Sequence, residues 1–263
     1  MISSESYPFG KIYLIPTPLG RNRENTSIPA YTLDRLFELK HFCVENLQNA
    51  VSFLKWAGHP EPEFKLHFYE LTKRTKELEI MDILTGVLNG ESLGVLTDAG
   101  CPGIADPGAD LVRMAHHYEI HVVPLTGPSS PLLALMGSGL GGQRFAFHGY
   151  LPVKLQARLS EIKLLEERSS KSGSSELFME TPHRNVETFK SLLQGLKNDT
   201  LLTVAANLTL PDEYIKTCEV SEWKHIQAPE IDKIPVIFGL KAKGNIPPRE
   251  LMNRKPVKKK FGK

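Results

Sequence analysis

Short apolar runs rich in β-branched residues alternate along the chain with segments whose apolar residues recur every three or four positions. This alternation is typical of α/β folds, in which buried strands are followed by helices that cover the sheet. The first half of the chain predicts strands at residues 11–16, 41–45, 66–69, 93–97 and 121–124. Amphipathic helices are predicted between them, at residues 31–39, 47–56, 77–88 and 110–118.

A second series of elements follows the turn sequence Thr126-Gly127-Pro128, which we expect to open a helix at Pro128 or Ser129. Strands are predicted at residues 145–150, 177–180, 202–206, 214–218 and 235–241, with helices at 155–167 and 186–196. The serine-rich run at 169–175 predicts a flexible link. We therefore expect two α/β domains with mainly parallel sheets, at residues 1–126 and 127–246.

The last residues have a different composition. From 252 to 263 the chain reads MNRKPVKKKFGK, with six lysines and arginines and no acid. We expect residues 247–263 to form a disordered basic tail. The tail has two interpretations, attraction of a polyanion such as RNA or a solubilising end.

Composition excludes several classes of protein. The chain is 41% hydrophobic and 24% charged, an ordinary soluble composition, and its formal charge of +2 argues neither for nor against nucleic acid. The three cysteines lack metal-binding spacing, so we expect no metal site and a reducing cytoplasm. The opening MISSESYPFGK has no apolar core like that of a secretory signal, and the longest apolar run, at 131–140, is too short to cross a membrane.

The most informative motif is GVLTDAGCPGIADPG at residues 94–108, directly after a predicted buried strand. Ligands of α/β sheets bind at the carboxyl ends of strands, where Asp98 and Asp106 could accept hydrogen bonds from sugar hydroxyls or an ammonium group. The alternative is a turn that only caps the next helix at Pro107. The chain has no GxxxxGK[ST], and no GxGxxG follows a strand, so nucleotide triphosphates and dinucleotides are disfavoured.

Five motifs in order resemble the tetrapyrrole methylase superfamily, and most of all its branch of ribosomal RNA small subunit methyltransferase I. They are YLIPTPLG at 13–20, TDAGCP with DPG at 97–108, VPLTGPSS at 123–130, the segment 145–152, and FMETPHR at 178–184. The resemblance implies two α/β domains, a homodimer, and S-adenosylmethionine in the cleft between the domains. In that branch the acceptor is the ribose 2′-hydroxyl of a cytidine in small-subunit ribosomal RNA.

Carried over position by position, the resemblance also implies which residues bind the cofactor. Thr97, Asp98, Ala99, Gly100 and Ile104 would form one wall of the site, and Ser129 and Ser130 the opposite wall. Further contacts would come from strand ends, at Pro16, Pro18, Glu180, Ala205 and Asn207.

Methyl transfer from S-adenosylmethionine is a direct displacement that needs alignment and exclusion of water but no metal. A ribose hydroxyl is a poor nucleophile, so a base or a cation near its oxygen would help. The candidates for this catalytic task are Glu45, Glu180, His183 and Arg184. His183 and Arg184 have a structural alternative, since Pro182-His183-Arg184 could simply begin a helix.

The chain departs from the ribosomal branch in its acceptor-side loops. Where the branch has Ala-Glu-Asp-Thr-Arg, residues 44–48 read VENLQ, and where it has Gly-Asn-Leu-Glu-Asp, residues 20–25 read GRNREN. The leading hypothesis is an RNA methyltransferase with Arg21, Arg23, Lys73, Arg74 and the tail as its basic surface. Two alternatives stay open, a methyltransferase of small molecules such as tetrapyrroles and a non-catalytic module that binds RNA or the cofactor.

Overall fold

The computed structural model describes residues 9–20, 27–72 and 74–242. Five strands in the first half form one sheet in the order β3-β2-β4-β1-β5, and every pairing is parallel. The strands are β1 (Lys11–Ile15), β2 (His41–Val44), β3 (His67–Glu70), β4 (Leu93–Leu96) and β5 (His121–Pro124). The helices are α1 (Ala30–Phe37), α2 (Leu47–Ala57), α3 (Glu77–Leu88) and α4 (Gly108–His117).

The strand order places the helices on two faces. The chain moves in one direction through β1, β2 and β3, and in the other direction through β4 and β5. Because parallel crossovers are right-handed, α1 and α2 cover one face and α3 and α4 the other. Two separate apolar clusters confirm this, one containing Leu36 and Phe53, the other Leu84 and Leu111.

Local signals define the ends of α2. Asn46 precedes the helix, and its Oδ1 accepts a hydrogen bond from the backbone N–H of Asn49 at 3.0 Å. Gly58 ends the helix with a φ of 79°, a conformation that glycine adopts without strain. Asn and Asp cap helices about equally well, so the Asn in VENLQ keeps the helix start intact.

The second half forms another five-stranded sheet, in the order β6-β7-β10-β8-β9. Its strands are β6 (Phe145–Tyr150), β7 (Ser175–Glu180), β8 (Leu201–Ala206), β9 (Tyr214–Glu219) and β10 (Val236–Lys241). The helices are α5 (Ser130–Ser138), α6 (Leu155–Ser172), α7 (Asn185–Gly195) and the short α8 (Val220–Trp223). Helices α6 and α7 pack on one face around Phe178 and Phe238, whereas α5 lies against the other face.

The predicted α/β architecture is confirmed, but the second sheet is mixed rather than mainly parallel. Only β6 and β7 pair in parallel, while β10 runs antiparallel to both β7 and β8, and β9 antiparallel to β8. The physical reason lies in the connections. Helices α6 and α7 allow β6, β7 and β8 to point the same way, but the connection from β8 to β9 is short and returns the chain antiparallel.

The prediction of a flexible link at 169–175 was wrong. Residues up to Ser172 complete α6, and Ser175 begins β7. Three of the five serines in this run are buried, at 169, 174 and 175, and backbone carbonyls accept the hydroxyl protons of two of them: Ser169 Oγ donates to the Ser174 oxygen at 2.6 Å, and Ser175 Oγ to the Gly141 oxygen at 2.8 Å. A polar run can therefore be part of a core when each hydroxyl has a partner.

Other sequence expectations concern absences and the chain's ends. Among the described residues there is no cluster of His, Cys, Asp or Glu suited to a metal ion, and no helix there is long and apolar enough to span a bilayer. The predicted tail at 247–263 lies outside the described residues, as do Arg21, Arg23 and Lys73. Arg74 is described and exposed.

Candidate functional site

The loops after β1 and β4 are bonded to each other at the carboxyl edge of the first sheet. These strands are neighbours in its centre. Thr17 N donates to the Gly100 oxygen at 2.9 Å, and Gly100 N donates to the Thr17 oxygen at 3.1 Å. The Thr17 hydroxyl adds a bond to the Thr97 oxygen at 3.1 Å. The loop predicted to bind a ligand is therefore held against the end of β1. The connections that leave β1 and β4 run in opposite directions along the sheet, which is where ligands of such sheets bind.

Asp106 gives the loop after β4 its shape. Its Oδ1 accepts hydrogen bonds from Gly103 N at 2.8 Å and Gly108 N at 2.7 Å, which closes the turn before α4. Gly103 has a φ of 83°, and Ala105 has a φ of 67°, which is strained for a residue with a side chain. These contacts favour the turn-forming interpretation of Asp106. Asp98 differs, because its side chain lies exposed at the mouth of a cleft.

The segment that opens the second half forms the opposite wall. A methyl group placed on Gly127 would lie 2.3 Å from Cβ of Pro16, so the two loops approach as closely as glycine permits. Cys101 Sγ donates to the Pro128 oxygen at 3.4 Å. Ser129 is buried just before α5, and its hydroxyl lacks a well-formed hydrogen bond within the described part of the chain. This hydroxyl is available to a ligand near a helix N-terminus.

Burial raises the pKa of the Cys101 thiol, and the Asp106 carboxylate raises it further, while contact with the Ser129 hydroxyl lowers it. Deeper in the sheet, burial together with Asp106 raises the pKa of the Cys43 thiol to about 12. Both thiols therefore remain protonated at neutral pH, and neither is a reactive nucleophile.

The second sheet closes the cleft with strand ends. Met179 and Glu180 end β7, Ala205 and Ala206 end β8, and β10 begins at Val236. Because β10 runs antiparallel to both neighbours, its first residues lie at the edge where β7 and β8 end. The edge is thus mainly apolar and buried, with the Asn207 amide beside it, where it donates to Asp212 at 2.6 Å.

Together these walls enclose a cavity of about 380 Å³, here called the interdomain cavity. The volume lies within the range of small-molecule sites. Of the twelve residues expected to bind the cofactor, ten line the cavity: Thr97, Asp98, Ala99, Gly100, Ile104, Ser129, Ser130, Glu180, Ala205 and Asn207. Pro16 and Pro18 lie outside it. Pro16 packs on Gly127, and Pro18 faces a neighbouring cavity.

That neighbouring cavity has a volume of about 560 Å³, and we call it the α2 cavity. It lies between the loop after β1 and one face of α2, and it shares residues 97–99 with the interdomain cavity. Trp56 lines this cavity and is 38% exposed. Its indole ring stacks on Phe53 at a centroid distance of 5.9 Å.

The four candidate catalytic residues fall into two groups. Glu45 follows β2, is exposed, lines the interdomain cavity, and accepts a hydrogen bond from the Thr97 hydroxyl at 3.3 Å. Glu180 also lines the cavity, but its carboxylate is buried and accepts hydrogen bonds from Thr181, Arg184 and Thr188. Only the first carboxylate is accessible to a substrate.

His183 and Arg184 lie on a short 3-10 turn before α7 and do not line the interdomain cavity. Arg184 pairs with Glu180 and donates from Nε to the Thr181 hydroxyl at 3.0 Å. His183 is exposed. The geometry favours the interpretation of this segment as a helix start.

Sequence reasoning missed several residues of the cavity, among them Tyr150, Met179 and Val236. Tyr150 ends β6, within the segment 145–152, which the sequence identifies as a motif without assigning a role to any single residue. Burial raises the pKa of the Tyr150 phenol, Glu180 and Glu45 raise it further, and Arg184 lowers it. The phenol therefore stays protonated and can donate a hydrogen bond into the cavity.

The cavity suits a ligand with both an apolar ring and polar groups. Met179, Ala205 and Ile237 supply apolar surface, whereas Asp98 and Ser129 supply groups for hydroxyls or an ammonium. S-adenosylmethionine has all of these parts, so the residues present fit it.

Comparison with known proteins gives both relatives and structural neighbours, although no family model matches the chain. Ribosomal RNA small subunit methyltransferase I of Vibrio cholerae is 31% identical over 224 residues, which cover 84% of this chain and 74% of the relative. The solved structure of the methyltransferase CobJ superposes with a TM-score of 0.59 at 15% identity, covering 89% of this chain and 94% of its own.

A second structure, uroporphyrin-III C-methyltransferase from Thermus thermophilus complexed with S-adenosylhomocysteine, has a TM-score of 0.52 at 15% identity. The superposition covers 88% of this chain and 97% of that one. At such identities these structures establish the fold alone. The relative from Vibrio cholerae is similar enough, over enough of both chains, to establish a family.

Proposed function

The chain belongs to the family of ribosomal RNA small subunit methyltransferase I, as an enzyme that uses S-adenosylmethionine, and on that premise we propose that it methylates small-subunit ribosomal RNA. The proposed acceptor is the ribose 2′-hydroxyl of a cytidine. The observation that carries this assignment is the 31% identity to a relative of that name over 84% of the chain.

We propose the interdomain cavity as the cofactor site. Asp98 would accept hydrogen bonds from ribose hydroxyls or the ammonium group, and Ser129 Oγ would gain a well-formed hydrogen bond, which it lacks among the described residues. Met179, Ala205 and Ile237 would cover the adenine. When bound, S-adenosylmethionine supplies an electrophilic methyl group for direct transfer to the acceptor.

Glu45 is the proposed base for the acceptor hydroxyl. It is exposed to the cleft, whereas Glu180 already accepts hydrogen bonds from several donors. The hydroxyl proton would pass to the Glu45 carboxylate as the new carbon–oxygen bond forms and the methyl–sulfur bond breaks, with S-adenosylhomocysteine as the leaving group. Glu180 and Arg184 are assigned a structural role, because their ion pair holds the segment between β7 and α7. His183 is assigned no chemical role.

The assembly and surroundings of the enzyme are also proposals. A homodimer agrees with the exposed apolar side chains of Leu132 and Met136, which are four residues apart on α5. We propose that the enzyme acts in the cytoplasm, where ribosomal subunits are assembled, and that the domain boundary falls between residues 126 and 127. Arg74, with the basic residues outside the described part of the chain, would attract RNA phosphates.

Two measurements in sequence test the proposal. Calorimetry would first measure binding of S-adenosylmethionine and S-adenosylhomocysteine, and a transfer assay would then use small ribosomal subunits that lack the modification. We expect binding and transfer to one ribose. Binding without transfer to RNA would refute the acceptor assignment, and absence of binding would refute the cofactor site.

A further inference from the structure

We propose that the α2 cavity binds the nucleobase of the acceptor nucleotide, stacked on Trp56. This inference rests on the RNA methyltransferase function proposed above. It names the part of the molecule that would hold the base while the ribose reaches the cofactor.

The wall of the α2 cavity that α2 forms presents a flat aromatic surface. Asn49 lies three and four positions before Ser52 and Phe53, and Trp56 lies four and three positions after them, so the four residues share one face of α2. Phe53 is nearly buried and supports the indole ring of Trp56 at an interplanar angle of 25°. A large aromatic side chain fixed in this way and still 38% exposed offers a flat apolar surface. RNA-binding proteins commonly stack single-stranded bases on such surfaces.

The charge of the cavity selects among flat ligands. Of its described lining residues, Asp98 alone is charged. A tetrapyrrole carries several carboxylates, which the Asp98 carboxylate would repel, whereas a nucleobase is neutral. The Ser52 hydroxyl and the backbone of residues 18–20 can form hydrogen bonds with the polar edge of a base. The volume of about 560 Å³ lies within the range of sites for small molecules of nucleoside size.

The position of the cavity connects it to the reaction. The α2 cavity and the interdomain cavity share Leu19 and residues 97–99. A base in the α2 cavity would place its ribose at this shared wall, next to Thr97. The Thr97 hydroxyl donates to Glu45, the proposed base, so the ribose hydroxyl would meet the proton acceptor and the methyl donor at one point.

The test compares methyl transfer by four variants of the full chain with that of the wild type, using small ribosomal subunits that lack the modification as the probe. Trp56→Ala removes the stacking surface, and Trp56→Phe keeps an aromatic ring. Ser52→Phe fills the cavity from its exposed wall. Phe64→Ala is the matched control, because Phe64 is an exposed aromatic residue that lines neither cavity.

For Trp56→Ala we expect kcat/KM to fall about 5- to 150-fold, mainly through KM, because base–aromatic stacking has about that effect. Trp56→Phe should recover most of the loss, Ser52→Phe should abolish transfer, and Phe64→Ala should match the wild type. The Kd for S-adenosylmethionine should stay unchanged in all four variants, which also reports that they are folded.

Different failures identify different errors. If wild-type enzyme methylates the subunits and both Trp56→Ala and Ser52→Phe do so equally well, the base site is refuted while the function stands. If wild-type enzyme binds the cofactor but methylates only a tetrapyrrole, the RNA function fails and the base site fails with it.

Discussion

Replacing Glu45 by Gln separates chemistry from binding in the proposed mechanism. Glutamine keeps the length of the side chain and an oxygen that can accept from the Thr97 hydroxyl, whose bond to Glu45 is 3.3 Å long. It cannot accept a proton at neutral pH. Because Glu45 is exposed, the free energy of unfolding should change by less than about 0.5 kcal/mol.

The expected loss of turnover follows from the role and exposure of Glu45. A general base accelerates a reaction by about 10²- to 10⁴-fold, and solvent can replace an exposed base in part. We therefore expect the lower end, a fall of about 100-fold in kcat, equivalent to about 2.7 kcal/mol of transition-state stabilisation. The assay is single-turnover methyl transfer to small ribosomal subunits at saturating S-adenosylmethionine.

Two further variants make the result interpretable. Glu70→Gln is the matched control, since Glu70 ends the neighbouring strand β3, is exposed, and lines neither cavity. Asp98→Asn should raise the Kd for the cofactor about 10-fold or more, because hydrogen bonds to charged groups are the stronger ones. Equal losses of cofactor affinity in Glu45→Gln and Asp98→Asn would refute this division of roles.

Three more predictions concern stability and reactivity. Gly127→Ala should lower the free energy of unfolding by about 1–3 kcal/mol and weaken cofactor binding, because its methyl group would lie 2.3 Å from the loop after β1. Thermal unfolding and calorimetry would measure the two effects, and Gly142→Ala, whose methyl group would have 3.6 Å of clearance, is the control. Arg158→Leu should lower the free energy of unfolding by about 3 kcal/mol, since the buried guanidinium donates to Ser191, to the Val153 oxygen at 2.8 Å and to Glu187. Chemical denaturation would measure this loss, and an unchanged midpoint would contradict it. At pH 8 iodoacetamide should label Cys101 slowly, and more slowly still with cofactor bound, whereas Cys43, with a pKa of about 12, should react only after unfolding. Mass spectrometry would reveal the order of labelling, and early labelling of Cys43 would contradict the prediction.

The positions of the strands could be predicted from the sequence because buried strands need continuous apolar runs. All ten predicted strands are present, with ends that differ by at most two residues. Their direction could not be predicted in the second sheet. The five residues from Val236 to Leu240 are buried on both faces, and such a pattern is the same for a parallel and an antiparallel central strand.

The lining of the interdomain cavity was more predictable than the lining of the α2 cavity. Residues 97–100 directly follow a recognisable strand, whereas residues 129–130 were placed at the site by the family resemblance. The roles of Trp56 and Tyr150 depend on which strands become neighbours and on which helix face meets the loop after β1. Neither of these follows from local periodicity.

The insertion of β10 between β7 and β8 has a consequence for synthesis of the protein. The first sheet has all its strands once residue 124 has been made, so it can assemble early. The second sheet lacks its central strand until residue 241 has left the ribosome. Until then β7 and β8 each present an unpaired edge, the kind of surface on which chains aggregate. A nascent chain that pauses before Val236 should therefore depend on chaperones far more than one that pauses just after β5.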